Sequence, residues 1–191
     1  TMGVYFLQFH LKPTGSRPGV FDNLAAIRRR KAEKAFAQKN YRKALLYFRG
    51  VLNAYPQDKE SHLKAATCLQ HIGDKHAALR HLQAAATGEE ALPEAMSRLA
   101  TTLYRKANIR YAGRYAEEAM AHGQKGRHLV AIAVDSHTLQ HKDGQDHPHL
   151  QELMEREERS DVERIAKAHI YSLRGEYERA EALMQIEAGP A

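Results

Sequence analysis

The 191-residue chain contains one cysteine, no tryptophan and few aromatic residues, which make up only 7% of it. A single thiol, Cys68, excludes an internal disulfide framework and a zinc site built from cysteines. No stretch approaches the run of about 20 apolar residues that a membrane-spanning helix needs. Because alanine dominates the apolar residues and β-branched residues are scarce, the composition favours close-packed helices over strands.

Motifs of catalysis are lacking as well. The chain has no glycine-rich loop that could cradle a phosphate and no nucleophile elbow. The many carboxylates of residues 152–163 are typical of the exposed face of a helix. We therefore predict that the chain is not an enzyme and uses no cofactor.

Charge is distributed unevenly along the chain. Residues 1–58 carry 11 Lys and Arg against 3 Asp and Glu, whereas residues 127–191 carry 8 against 13. The basic front makes nucleic-acid binding an alternative function, although its cluster at residues 28–31 is not interleaved with the aromatic residues on which bases stack. If a membrane anchor precedes residue 1, this cluster favours the cytoplasmic side.

Two similar phrases near the ends of the chain point to an internal repeat. "KNYRKALLYF" begins at residue 39 and "GEYERAEALM" at residue 175, and Tyr41 and Tyr177 are 136 residues apart, four times 34. Apolar residues return at this period in two sets. One set is Ala32, Ala66, Ala100, Val134 and Ala168, and the other is Phe48, Leu82, Ala116, Leu150 and Met184. Such a period indicates stacked helical hairpins, because one hairpin cannot bury its own apolar faces. We expect Tyr41 and Tyr177 to be packing residues.

A 34-residue helix–turn–helix repeat with small residues at these phases resembles the tetratricopeptide repeat (TPR) family. The best matches are residues 35–56, 65–85 and 166–184. The resemblance implies an all-α fold, a right-handed superhelix of stacked antiparallel helical hairpins. It assigns residues 1–24 to an apolar arm and a Pro/Gly-rich linker, and residues 25–191 to a TPR array. The units of the array would start near residues 25, 59, 93, 127 and 161.

In this family the first helix of each unit lines a concave groove that holds a peptide or a helix. Carried over by phase, the resemblance implies these partner-binding residues: Arg29, Glu33, Phe36, Leu63, Thr67, Gln70, Ser97, Thr101, Tyr104, Asp135 and His169. Phe36 and Tyr104 are expected to be the exposed aromatic residues of the groove.

A histidine-rich segment, residues 135–150, interrupts the pattern of the fourth unit and holds four of the 12 histidines. His137 and His141 lie one helical turn apart and form a candidate metal pair. Further ligands would come from His147, His149, Asp143 and Asp146. The alternative is a polar turn whose histidines face solvent, and the sequence leaves both readings open.

The ends of the array suggest where copies could meet. Leu183, Met184 and Ile186 would have no following helix to cover them, although a terminal repeat needs a polar outer face. Self-association would use this end or the N-terminal arm. Together, these observations predict a non-enzymatic protein–protein interaction scaffold in the cytoplasm. One version of this prediction makes it the cytoplasmic part of a membrane-anchored assembly, secretion or polysaccharide-export component, with membrane contact only through an anchor upstream of residue 1.

Overall fold

The computed structural model describes residues 20–141 and 147–185, with side chains from residue 22 onward. These segments form ten helices and contain no strand. The helices are α1 (Val20–Ala37), α2 (Tyr41–Leu52), α3 (Lys59–Ile72), α4 (Lys75–Ala86), α5 (Pro93–Arg105), α6 (Ile109–Ala121), α7 (Arg127–Gln140), α8 (Leu150–Glu155), α9 (Asp161–Leu173) and α10 (Tyr177–Gln185).

The helices follow the 34-residue period of the sequence. The first helices α3, α5, α7 and α9 begin at residues 59, 93, 127 and 161, and the second helices α2, α4, α6 and α10 begin at residues 41, 75, 109 and 177. In the pairs α1–α2, α3–α4, α5–α6 and α9–α10 a short turn joins the two helices, which therefore run antiparallel. The protein is an all-α helical repeat of TPR type. Helix α1 begins at Val20, so its first turns lie in the segment that the sequence assigns to the linker.

The first helix of four pairs ends with a residue in the same left-handed backbone conformation. Lys39, Gly73, Ala107 and Gly175 occupy the same phase of the repeat and have φ angles of 57°, 96°, 58° and 79°. A residue in this left-handed conformation lets the last carbonyls of a helix find donors and stops the helix. The second helix then starts at once, because Asn40 accepts a hydrogen bond from the N–H of residue 43 and caps α2.

Small residues let the helices approach closely, as the period predicted. Ala32, Ala66, Ala100 and Val134 are fully buried, and Ala168 is 4% exposed. The larger side chains of Phe48 and Leu82 are also fully buried between helices. Two core clusters result, one around α1–α4 and one from α3 to α9.

In the last pair one expectation is wrong and another is confirmed. Tyr41 is half-buried and packs on Phe36, but Tyr177, at the same phase, is 70% exposed and is not a packing residue. Met184 is 53% exposed, as expected for a residue that no following helix covers, whereas Phe48 and Leu82 at its phase are buried. The cause is the same for both, since no described helix packs on the outer side of α10. Ile186 lies outside the described residues.

The fourth pair departs most from the repeat. Helix α8 has only six residues and begins at Leu150, whereas the period places the start of this second helix at residue 143. Residues 142–146 lie outside the described part. Leu150 and Leu153 are buried and keep α8 against the stack.

Candidate functional site

The first helices of successive pairs are joined side by side through polar side chains. We call the face formed by α1, α3, α5, α7 and α9 the first-helix face. Four of its side-chain bonds link residues 31 positions apart in sequence. They are Glu33–Lys64, Thr67–Arg98, Ser97–His128 and Tyr104–Asp135. Because the repeat is 34 residues long, a spacing of 31 links a residue of one first helix to the next first helix, about one turn before the equivalent position. The four bonds follow one another along the first-helix face, and we call them the ladder.

At the front of the ladder the partners are partly exposed ion pairs. Lys64 Nζ lies 2.6 Å from the Glu33 carboxylate and 3.7 Å from that of Glu60. Arg29 donates to Asp58 at 2.6 Å. The predicted groove residues Arg29 and Glu33 therefore already have partners within the chain. Water screens such pairs, so each contributes little to stability.

Arg98 occupies the middle of the ladder without a close acidic partner. Its guanidinium donates to Thr67 Oγ1 at 2.7 Å and to Gln70 Oε1 at 2.5 Å, both neutral acceptors. The Glu94 carboxylate is 3.9 Å away. Burial lowers the pKa of Arg98, and Glu94 only partly offsets this effect. Arginine nonetheless stays charged, so the side chain presents a partly desolvated cation to the face.

A recess of about 310 Å³ opens beside Arg98. Its walls combine apolar side chains with both signs of charge. They are formed by Phe36, Glu60, Leu63, Lys64, Thr67, Leu92, Pro93, Glu94, Arg98 and Gln124. The recess brings together the predicted groove residues Phe36, Leu63 and Thr67, which come from α1 and α3.

The back of the face holds a polar triad of Tyr104 and Asp135, which are buried, and His169, whose side chain is 40% exposed. The Tyr104 hydroxyl donates to Asp135 Oδ2 at 2.5 Å, and His169 Nδ1 lies 2.9 Å from the same oxygen. Asp135 is fully buried, and its Oδ1 has no hydrogen-bond partner among the described residues. Tyr104 is only 5% exposed, so the expectation of an exposed aromatic residue here is wrong. Its ring fills the space between α5 and α7.

The triad shifts the proton affinity of its members. The hydrogen bond from His169 to Asp135 outweighs burial and raises the pKa of His169. Burial, followed by the nearby Asp135 carboxylate, raises the pKa of the Tyr104 hydroxyl. At neutral pH the tyrosine therefore remains a hydrogen-bond donor.

A second set of buried charges lies at the α7–α9 junction. Glu163 is 2% exposed and accepts hydrogen bonds from the Arg127 guanidinium at 2.7 Å and from the Arg159 N–H at 2.9 Å. Burial alone raises the pKa of Glu163, but these two donors outweigh it and lower the pKa below its usual value. Lys167, which is 3% exposed, donates to Glu158 at 2.6 Å.

Sequence reasoning missed the partner half of this network. Lys64, Arg98, Arg127, Glu163 and Lys167 were not among the predicted site residues. A signal was present for two of them, since Glu33 and Thr67, like Ser97 and Tyr104, bond to the residue 31 positions later. Of the remaining predicted residues, Ser97 contacts His128 at 3.3 Å and Thr101 donates to the Ser97 carbonyl at 3.1 Å.

The histidine-rich segment brings three imidazoles together. The ring centroids of His137 and His141 are 4.3 Å apart, and those of His137 and His147 are 5.3 Å apart. Burial, together with the neighbouring histidines, lowers the pKa of His147. Within residues 20–141 and 147–185, no group of three potential ligands could hold a metal ion. Asp143 and Asp146 lie outside the described residues, so the metal pair stays a prediction.

The part of the chain that the structure describes includes no helix with the length and apolarity required to cross a membrane.

Comparison with known proteins identifies a solved structure with a similar fold. No protein-family model and no curated protein sequence matches the chain. Among solved structures, the crystal structure of the MamA protein superposes with a TM-score of 0.57 at 14% sequence identity, over 85% of this chain and 89% of that one. MamA is a TPR-containing helical repeat protein. At this low identity the similarity concerns the fold alone, and it shows that the chain is a TPR-like helical repeat.

Proposed function

We propose that the chain is a non-enzymatic protein–protein interaction scaffold, with five TPR units that start near residues 25, 59, 93, 127 and 161. A peptide or helix of the partner lies along the first-helix face, which forms the concave groove. Helical repeats that bury their apolar faces between neighbouring units leave such a face available along the whole stack. The similarity in fold to MamA supports the class of protein and is silent on the partner.

The observation that carries the proposal is the recess beside Arg98. The walls from Phe36 and Leu63 offer apolar contact, while Lys64 and Arg98 offer donors at fixed positions. Recognition sites typically combine a mostly apolar concavity with a few placed polar groups that set orientation. At the back of the face Tyr104 and Asp135 are buried and fill the space between α5 and α7. We therefore place the partner segment on α1, α3 and α5.

The proposal also covers location. A reducing compartment fits the single thiol, because Cys68 is fully buried and burial raises its pKa to about 11, which leaves it unreactive. We infer a cytoplasmic scaffold that takes part in a larger assembly.

We test the proposal by filling the recess with a large side chain. Thr67→Tyr adds a large side chain beside Arg98, and Gln83→Tyr adds the same side chain on the exposed surface of α4. Partners are first identified by cross-linking the full chain in cells and mapping the cross-linked residues by mass spectrometry. We expect cross-links to α1, α3 and α5 that Thr67→Tyr abolishes and Gln83→Tyr retains. Cross-links confined to the second helices, unaffected by Thr67→Tyr, would overturn the groove proposal.

A further inference from the structure

The turns inside the hairpins lie together along one edge of the stack, because all first helices run in the same direction. We call this the turn edge and define it, for the first three pairs, as residues 37–43, 71–77 and 105–111. These segments hold seven Lys and Arg and one acid, Asp74, for a charge of +6. The connections at the opposite edge, residues 53–60, 87–94 and 121–128, hold five acids and three Lys and Arg, for a charge of −2. The stack thus separates charge between its edges, a pattern that the sequence order hides.

The cations of the turn edge are exposed and unpaired. The first pair contributes Lys39, Arg42 and Lys43, the second Lys75, and the third Arg105, Lys106 and Arg110. Among the described residues, none of the seven forms an ion pair with an acidic side chain. At the opposite edge, by contrast, Asp58 pairs with Arg29, and Glu60 lies 3.7 Å from Lys64. The positive charge of the turn edge is therefore available to an external anion.

Cations are electrostatically unfavourable at helix N-termini, where several cations of the turn edge lie. The N-terminus of a helix carries a partial positive charge and favours acids in its first turn. Helices α3 and α5, which begin at the opposite edge, follow the rule with Glu60 and Glu94. Helices α2, α4 and α6 begin at the turn edge, have no acid in the first turn and carry Arg42, Lys75 and Arg110 there. At the opposite edge α7 also lacks an acid in its first turn, so the contrast concerns helices α2 to α6, in which all three helices that begin at the turn edge break the rule and both that begin at the opposite edge follow it. Three successive exceptions at one edge are typical of a surface shaped for function.

Lys39 breaks a second rule at the same edge. It has a φ of 57° at the phase where Gly73 and Gly175 occur, in a conformation that a residue with a Cβ adopts at a cost. Strained backbone that a glycine would relieve is a pointer to function. Ala107 has the same strain at this phase without a charge, and so provides a matched control.

A recess of about 490 Å³ opens on the turn edge between the second and third pairs. Lys75, Arg105 and Lys106 line it together with Gln70 and Thr102, and no acid is among its lining residues. Its remaining wall is apolar, formed by Ala78, Leu79 and Leu82. Cations beside an apolar wall match a group whose anionic head is joined to a hydrocarbon body.

We propose that the turn edge is a peripheral docking surface for membranes that carry anionic phospholipids, with a headgroup phosphate seated in the recess of Lys75, Arg105 and Lys106. Exposed Ile72 and Tyr111 lie among the cations and suit the boundary between headgroups and acyl chains. A nucleic acid fits less well. The ring of Tyr41 is stacked on His71 at 3.9 Å, and Arg114 lies 6.0 Å from the Tyr111 ring centre, so the edge offers bases few open aromatic faces.

The test uses the full chain and co-sedimentation with vesicles at physiological ionic strength. We expect binding to phosphatidylcholine vesicles that contain phosphatidylglycerol, no binding to pure phosphatidylcholine, and weaker binding as salt is raised. Each cation removed should weaken binding about fivefold, the factor that corresponds to about 1 kcal/mol. No binding to the anionic vesicles would overturn the proposal.

Two pairs of variants separate binding from folding. Lys39→Gly and Ala107→Gly should both raise the melting temperature, but only Lys39→Gly should weaken vesicle binding. Lys43→Glu/Lys75→Glu places acids at helix N-termini, so the fold should remain stable while binding falls at least 25-fold. Lys125→Glu/Arg159→Glu makes the same charge change at the opposite edge and should retain most of the binding. Equal losses in the two double variants would show a net-charge effect and overturn the assignment to the turn edge.

Two competitors decide the class of ligand. Inorganic phosphate at vesicle-equivalent concentration should not displace the protein, because many headgroups bind together; full displacement would show a site for a free anion instead. Tighter binding to a single-stranded oligonucleotide than to anionic vesicles, lost in Lys43→Glu/Lys75→Glu, would overturn the lipid assignment in favour of nucleic acid.

Discussion

The front and the back of the first-helix face join their helices by different means. In the front, between α1 and α5, the joining side chains are partly exposed, as in the pair of Glu33 with Lys64, which are 43% and 32% exposed. In the back, between α5 and α9, they are buried, and Asp135, Glu163 and Lys167 are each at most 3% exposed. The same repeat geometry therefore supports a solvated half and a desolvated half.

This difference in burial indicates that the two halves of the first-helix face have different roles. Exposed charges can exchange a neighbour in the chain for a partner at small cost. Buried charges must keep their partners, since an uncompensated buried charge is expensive. The back thus holds the stack in one arrangement, and the front remains available to a ligand. Three predictions test this division, beginning with the largest expected effect.

Removing one buried partner should distinguish the halves most clearly. Glu163→Ala leaves the Arg159 N–H and the Arg127 guanidinium without their acceptor, and we expect the free energy of unfolding to fall by about 3 kcal/mol. Glu33→Ala breaks the equivalent exposed pair and should cost about 0–1 kcal/mol. Urea denaturation of both variants measures the difference. Similar losses would show that burial does not separate the two halves.

Adding one methyl group should separate the halves by a smaller amount. A Cβ at Gly113 would lie 2.1 Å from Ser136 Oγ, so Gly113→Ala should force α6 and α7 apart and cost about 1–3 kcal/mol. A Cβ at Gly50 would meet only the flexible side chain of Arg28, at 2.8 Å. Gly50→Ala should therefore be neutral or slightly stabilising, through helix propensity. Thermal unfolding compares them, and a stable Gly113→Ala would contradict the close approach of α6 and α7.

The third and smallest expected effect is on the pH dependence of the free energy of unfolding, which should have opposite signs in the two halves. In the front, burial and the neighbouring His62 lower the pKa of His81 to about 4, so acidification from pH 6.5 towards 4 should destabilise the fold. In the back, the raised pKa of His169 gives stability that is fully present below pH 6.5 and is lost as pH rises through the higher folded value.

Unfolding in urea across this pH range measures both contributions. His81→Gln should flatten the loss of stability below pH 6.5, and His169→Gln should remove the loss above it. The same change in slope for both variants would contradict the assigned directions.

Much of the fold was predictable because local patterns carry it. The 34-residue spacing of alanines located the first helices, and the all-α class followed from it. The fourth pair was predictable as an irregularity, and Pro148, a residue suited to the first turn of a helix, predicts a start of its second helix close to the observed Leu150. The candidate functional site was harder to predict from the sequence. Periodicity selects residues on one face of a helix, but their exposure depends on the neighbouring helix, as Tyr104 and Asp135 show.

Sequence alone determined that this protein is a stack of helical hairpins, since small apolar residues at a fixed period leave no other way to bury them. Tertiary structure decided which charges are buried, where Arg98 finds neutral acceptors, and that the cations of three separate turns share one edge. The physical reason is that helix formation and hairpin packing depend on neighbours in the chain. Burial and electrostatic fields depend on neighbours in space, which here lie about 31 to 34 residues apart in sequence.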